Sequence, residues 1–305
     1  MTYHVPVLAE ASLDLLVTDP DGTYVDATFG GGGHARLLLG RLGAGARVYA
    51  FDQDPDAVAN ATAIDDERLV FVAANFRHLR RYLRLYGVGH VDGVLADLGV
   101  SSHQFDEPER GFSYRYDAPL DMRMSQSDAQ TSAADLLRRA DAEELQRILG
   151  EYGEVRNART LAHAIVERRG RHALRTTGDL VALTDGYVRG QRPRYLAQVF
   201  QALRIAVNDE MTALSEFLAD ARRVVRPGGR LVVISYHSGE DRLVKNVMKT
   251  GREDGRHDAD EYGRISRPWS VAAKKPMEAP AAETLQNPRA RSARLRAATR
   301  NDEES

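Results

Sequence analysis

The sequence predicts an α/β fold, a doubly wound parallel sheet interrupted by an all-helical insert. Three observations predict it. Strand-like and helix-like segments alternate through the first hundred residues, no convincing strand lies between about Phe105 and Val207, and strand character returns at residues 230–235. Strands alternating with helices of this length are the signature of a parallel sheet. The sheet domain is expected to comprise residues 1–104 and 208–305, with the insert spanning 105–207.

Each element has a local cause. Residues 22–29 read as a turn and a buried strand, followed by the glycine run Gly30 to Gly33 and a helix over 34–42. A second strand at 47–52 leads to a helix beginning near Pro55, a favoured first-turn residue. Residues 68–73 form a third strand, 76–86 have helical spacing, and 91–97 form a fourth strand. In the insert, residues 131–135 and 141–144 carry helix N-termini with an acid in the first turn. Leu161, Ala164 and Ile165 keep helical spacing, and Gly170 supplies a stop. An apolar stripe from Leu196 to Val225 implies one long helix, or two joined near Asn208. Arg226-Pro-Gly-Gly ends that stripe before the strand at Arg230. Beyond Lys249 the chain is polar and loop-like to about Glu283. A weak alternation over 291–297 then fits a closing strand, and 301–305 read as disordered.

Composition narrows the function. With 305 residues, 43% hydrophobic and 28% charged, the chain is globular and long enough to bury a sizeable core. No apolar run approaches the roughly 18 residues of a membrane helix. The N-terminal stretch lacks a basic leader and carries Glu10 and Asp14, so no signal peptide is expected. The absence of cysteine excludes disulfides, thiolate metal sites, iron–sulfur clusters and cysteine nucleophiles. A cytoplasmic enzyme or binding protein is expected. A net charge of -2 makes no global case for nucleic acid. The basic residues are nearly all arginine, which coding bias explains, although arginine's planar fork also suits phosphate.

The glycine run sits where the first strand meets its helix, and glycine there lets backbone approach a ligand closely. Asp52 ends the next strand about twenty residues on, where a carboxylate can accept both ribose hydroxyls. Two adenosine-type ligands compete. Gly30-x-Gly32-x-x-Ala35 satisfies the dinucleotide fingerprint of NAD. S-adenosylmethionine instead prefers a carboxylate just before the glycines, where Asp26 stands, because its amino-acid end is cationic. Asp97 at the end of the fourth strand and Arg226-Pro-Gly-Gly before the fifth favour the methyl donor.

The segments HVPVLAEA, DATFGGGGH, FDQDPDA, DLGVSS, RGFSYRYDAPLDMRM, QALRIAVNDE, PGGRLVVISYHS and NPRARSARLR follow one another from His4 to Arg296. In that order the chain resembles the bacterial ribosomal RNA small subunit methyltransferase H family. The resemblance implies a class I, Rossmann-like S-adenosylmethionine-dependent enzyme with a helical insert. It also implies methylation of the exocyclic N4 of a cytidine in the decoding region of 16S ribosomal RNA. Carried over residue by residue, it places the cofactor loop on Gly32, Gly33 and His34 and the ribose acid on Asp52. Phe76 would lie against the adenine, and Asp97 and Gln104 would complete the pocket. The chain departs from the family pattern at Gly239, where leucine is usual, at Tyr236, where phenylalanine is usual, and in RPRYLAQVF before QALRI.

Methyl transfer requires the nucleophile held in line with the methyl carbon. A cytosine amine is a poor nucleophile, so acceptors for its hydrogens are needed, and Asp97 and the carbonyl near Leu98 can serve. Phe112, Tyr114 and Tyr236 are candidates to stack the base. His237, just past the fifth strand, is a candidate to accept the released proton or hold the base, against the simpler reading of a histidine satisfied by loop backbone. No histidine–carboxylate spacing suggests a metal, and none is expected. Arg110, Arg115 and Arg123 beside aromatics form a candidate flipped-base site, and the arginines of 287–296 a candidate phosphate-lining edge strand. The expected partner is small-subunit ribosomal RNA or the small ribosomal subunit, with no membrane, and the insert is expected to recognise RNA. Monomer and homodimer both remain open. The rival readings are an NAD-dependent oxidoreductase and a non-catalytic RNA-binding assembly factor.

Overall fold

The computed structural model describes residues 6–126, 130–257 and 264–302; His4 of the first motif and residues 303–305 lie outside them. The elements before the insert are α1 (Ala9–Leu16), β1 (Thr23–Asp26), α2 (Gly33–Arg41), β2 (Arg47–Asp52), α3 (Pro55–Thr62), β3 (Leu69–Ala73), α4 (Leu79–Leu85) and β4 (Val91–Asp97). The insert supplies α5 (Ser102–Asp106), α6 (Ala133–Arg139), α7 (Ala142–Glu151), α8 (Ala158–Arg169), α9 (Thr177–Asp185) and α10 (Arg192–Asn208). There follow α11 (Glu210–Val224), β5 (Val225–Ser235), α12 (Ser238–Thr250), β6 (Trp269–Val271), β7 (Met277–Glu278), α13 (Ala281–Gln286) and β8 (Arg294–Arg300). Two compact units result, Met1–Gly99 with Thr212–Ser305, and Val100–Met211.

The first unit is a mixed sheet covered by helices on both faces. Its strand order among the described residues is β3-β2-β1-β4-β5-β8-β6, with β7 pairing β8. Strands β1 to β5 are mutually parallel, and β8 runs antiparallel to β5 and β6. The period-two alternation of a strand divides the core between two faces. Val94, Ala96, Leu231 and Val233 pack with Leu79, Phe217 and Val244 from α4, α11 and α12. Their neighbours Leu95, Val232 and Ile234 pack with Leu13 and Leu38 from α1 and α2. Strands buried on both faces read as continuous apolar runs, which is why this half of the chain was readable.

Two local features differ from the sequence reading. Arg226-Pro-Gly-Gly lies inside β5 rather than before it. The register shifts between the Val91 and Gly93 pairs, Gly228 adopts φ 79°, and a Cβ on Gly229 would sit 2.9 Å from the Asp92 carbonyl. The segment is therefore an irregularity of the strand that only small residues can make. Closing strand β8 is also interior, not an edge, since β5 and β6 flank it.

The second unit is helical; among the described residues its extended pairing is one isolated bridge, Pro119 to Thr176. The long apolar stripe resolves into α10 and α11, broken at Asp209 with φ 49°. The reason lies one residue earlier. Asn208, 5% exposed, accepts from the Met124 N–H at 2.7 Å and donates to the carbonyls of Met122 at 2.7 Å and Arg204 at 2.9 Å. One buried amide thus ties the DMRM loop to the end of α10. Arg110, also buried, donates to the carbonyls of Arg123 and Met124, both at 3.1 Å. At Gly111, with φ 71°, a Cβ would lie 2.3 Å from the Pro119 carbonyl.

Replacing Asn208 leaves several buried backbone groups unpaired, each costing about 1–3 kcal/mol. Asn208→Ala should therefore lower stability in urea unfolding by about 2–4 kcal/mol. The exposed Arg138→Ala, which removes only a surface pair with Asp135, should leave the midpoint nearly unchanged.

Candidate functional site

Parallel strands deliver their C-terminal residues to one edge of the sheet, where ligands bind in folds of this kind. Asp26, Asp52 and Asp97 end β1, β2 and β4 at that edge. The glycine loop is fixed there by its own backbone. Asp52 accepts the Gly30 N–H at 2.7 Å and the Asp54 N–H at 2.8 Å, and Asn60 donates to the Gly30 carbonyl at 3.1 Å. A carboxylate offers about four acceptor positions, so Asp52 retains capacity for a ligand diol. Gly32 adopts φ 75°, and a Cβ on it would fall 2.8 Å from the Phe29 ring; a Cβ on Gly33 would fall 3.0 Å from Pro6. Nothing lies within 4 Å of the corresponding position on Gly31. The run thus combines a tight inner wall with an open outer one.

Asp97 is held from three sides. Its backbone N–H donates to the Thr28 hydroxyl at 2.7 Å, the Tyr236 hydroxyl donates to its Oδ1 at 2.7 Å, and His34 Nδ1 stands 3.8 Å from its Oδ2. His34 turns its other nitrogen, Nε2, to the Val7 carbonyl at 3.2 Å, which fixes the proton on Nε2. Burial lowers the His34 pKa and keeps the ring neutral. Burial pushes the Asp97 carboxyl up to about 7, against the Tyr236 hydrogen bond that lowers it and with Glu240 raising it further. Asp26 and Asp52 are likewise raised by burial, each to about 6. Asp26 Oδ2 is buried and has no hydrogen-bond partner. No lysine or arginine pairs with any of the three acids among the described residues. The edge is therefore prepared for a ligand that brings its own positive charge.

Phe76 follows β3 in a short 3₁₀ turn and meets Phe217 edge-on at 5.2 Å, with part of its ring exposed. Asn75 caps that turn and bonds Gln53 at 3.0 Å, next to Asp52. Gln104 belongs to the second unit, where it completes a buried capping box with Ser101. His237 caps α12: its Nδ1 accepts the Glu240 N–H at 3.4 Å, and its Nε2 lies 3.2 Å from Glu240 Oε1 without hydrogen-bond alignment. Glu240 in turn accepts the Tyr236 N–H at 2.9 Å. Tyr236, Glu240 and Thr28 were not expected to shape Asp97. Glu240 was legible as a capping-box acid three residues after its cap.

The arginine expectations need correction. Arg110 is buried against backbone carbonyls, and Arg123 is paired with Asp121 at 2.8 Å, so neither presents a free fork. Arg294 and Arg296 both bond Asp241 of α12, at 3.2 and 2.7 Å, and so do not line a phosphate track. Of the stacking candidates, Phe112 is core, Tyr114 packs on Phe200 at 5.6 Å, and Tyr236 spends its hydroxyl on Asp97. Among the described residues no cluster of three or more His, Asp or Glu side chains is arranged to hold a metal ion, and no helix is long and apolar enough to cross a membrane.

Residues 1–301 match the model of the MraW methylase family. The chain is 50% identical over 299 residues to the ribosomal RNA small subunit methyltransferase H of Bacteroides thetaiotaomicron, covering 98% of this chain and 97% of that one. It is equally 50% identical over 299 residues to the namesake from Cytophaga hutchinsonii, covering 98% and 99%. The namesake from Flavobacterium johnsoniae is 48% identical over 300 residues, covering 98% of each chain.

A carboxyl carbon NMR titration should place the Asp97 midpoint near pH 7. In Tyr236→Phe the midpoint should rise, because the lost hydroxyl stabilises the ionised form.

Proposed function

The chain belongs to the MraW methylase family, and from that premise we propose that it methylates the exocyclic N4 of a cytidine in the decoding region of small-subunit (16S) ribosomal RNA. The protein acts in the cytoplasm, where that substrate is. The observation that carries the reading is the trio of buried, cation-free carboxylates beside an open glycine loop. S-adenosylmethionine fits that site: when bound it supplies an electrophilic methyl group on a positively charged sulfonium. Asp26, with its unpartnered Oδ2, suits the cationic amino-acid end, Asp52 the ribose diol and Phe76 the adenine. Gly32, Gly33 and His34 shape the loop. A dinucleotide is disfavoured, because its pyrophosphate would meet acids at the start of α2 instead of a free anion site.

Asp97 carries the chemistry. Its carboxylate accepts a hydrogen bond from the target amino group, which localises the nitrogen lone pair. As the nitrogen–carbon bond formed and the methyl–sulfur bond broke, with the neutral thioether leaving, the amine would lose one proton, and a carboxyl with a pKa near 7 would accept it and pass it to solvent. Tyr236 holds that carboxylate in one orientation, and Thr28 anchors the Asp97 backbone N–H. His237 acts one step away, capping α12 and steadying Glu240, which holds the backbone of Tyr236.

The test is methyl transfer from labelled S-adenosylmethionine to small subunits isolated from cells lacking the gene. Nucleoside mass spectrometry should show N4-methylcytidine replacing cytidine; its absence, with the cofactor bound by calorimetry, overturns the assignment of substrate. In the same assay kcat should rise with pH through about 7, since the ionised Asp97 is the active form. Asp97→Asn should lower kcat about 10²-fold and abolish that dependence.

A further inference from the structure

The insert holds a surface that none of the chemistry above uses. Among its described residues Tyr116 is the one large aromatic or apolar side chain left exposed, at 54%. Its backbone is nonetheless fixed. The Tyr116 carbonyl accepts the Thr177 hydroxyl at 2.6 Å, the Thr177 hydroxyl oxygen accepts the Ala118 N–H at 3.0 Å, and Asp117 accepts the Gly178 N–H at 2.9 Å. On the other side, the Tyr114 hydroxyl donates to the Pro193 carbonyl at 3.3 Å, joining this loop to the start of α10. An exposed ring on a fixed backbone is a costly arrangement in water and a prepared one for a flat partner, because little freedom remains to be lost on binding.

Asp117 beside it is engaged by the Gly178 N–H, and arginines supply the positive charge nearby. Arg115 is exposed and stands 6.0 Å over the Phe105 ring. Arg194 adjoins Pro193, and Arg189 precedes the open turn at Gly190, with φ 85°, that leads into α10. None of these three has a carboxylate within ion-pair distance among the described residues. By contrast, Arg138, Arg147, Arg171 and Arg192 of the same unit are each paired with an acid. An accessible π-face with unpaired arginines is the chemistry of single-stranded nucleic-acid binding, where bases stack on aromatics and phosphates meet guanidinium groups.

We propose that Tyr116 is a stacking platform for an unpaired base of small-subunit ribosomal RNA, with Arg115 and Arg194 holding the adjoining phosphates. This rests on the reading of the chain as a ribosomal RNA methyltransferase and extends it to the insert. The platform reads single-strandedness rather than sequence, since every base has a π-face. Arg192, neutralised by Asp185, takes no part.

Two assays test it with the full-length protein. Binding of fluorescent, protein-free 16S ribosomal RNA is followed by anisotropy, and methyl transfer to small subunits is followed by kinetics. Tyr116→Ala should weaken RNA binding and raise KM about tenfold, with kcat and calorimetric S-adenosylmethionine affinity unchanged; Tyr116→Phe should restore both. Arg194→Ala should reduce the slope of log affinity against log salt by about 0.7, the contribution of one phosphate on a single strand. Wild-type RNA affinity in Tyr116→Ala overturns the platform. So does a defect seen only with assembled subunits and not with protein-free RNA, which would assign the ring to a ribosomal protein. Failure of the wild-type enzyme to methylate any subunit would count against the substrate reading instead, and the binding assay would still decide the role of Tyr116.

Discussion

Burying acids without counter-charges is the constraint around which the sheet unit is arranged. Asp26, Asp52 and Asp97 end adjacent parallel strands, and each is pushed up in pKa by loss of water. Backbone and hydroxyl donors offset part of that cost. Gly30 and Asp54 serve Asp52, Thr28 serves Asp26, and Tyr236 serves Asp97. These bonds also dictate the course of the surrounding loops. The glycine run turns where it does because Asp52 holds Gly30, and the start of α12 sits where it does because Tyr236 reaches back to Asp97. The same bonds that make the acids tolerable before a ligand arrives leave them oriented toward one.

How much of this was readable in the sequence depends on whether a residue's partner is near or far along the chain. Strands buried on both faces gave β2 and β4 to the residue, and the acid at the end of each was visible from its position alone. Helix starts at Ser132 and Asp141 follow from local capping, and both side chains do accept the expected N–H groups. Side chains whose roles are set by distant partners were not readable. Arg294 and Arg296 look like a free basic strand until Asp241, more than fifty residues earlier in the chain, is found between them. Arg110 resembles an anion-binding arginine until its fork is seen to close on two carbonyls. Tyr236 looked like a ring to stack a base, because nothing local announces a bond to a residue 139 positions away.

The motif RGFSYRYDAPLDMRM shows both outcomes in fifteen residues. Its length and density of charge suggested a binding segment, yet most of it is scaffold. Phe112, Leu120 and Met122 are buried, Gly111 makes a turn closed to any side chain, and the backbone around Met122 and Met124 hangs on Asn208. Its middle, Arg115 to Asp117 with Pro119, reaches the surface. A segment can carry a strong sequence signature because it must satisfy so many internal contacts at once, and the residues that meet a partner are then those left over from that task.

The placement of β8 bears on how the protein is made. This strand lies between β5 and β6, so the sheet has a gap in its middle until residues 294–300 are in place. The helical insert, by contrast, is one uninterrupted stretch, Val100–Met211. During synthesis the insert can therefore complete its fold while the sheet still waits, open along β5, for residues 294–300. An exposed parallel strand edge is prone to pairing with whatever chain is nearby. The newly made protein is thus most vulnerable to misassembly in the interval before residues 294–300 join the sheet, and loss of β8 would damage solubility before it touched any residue of the site.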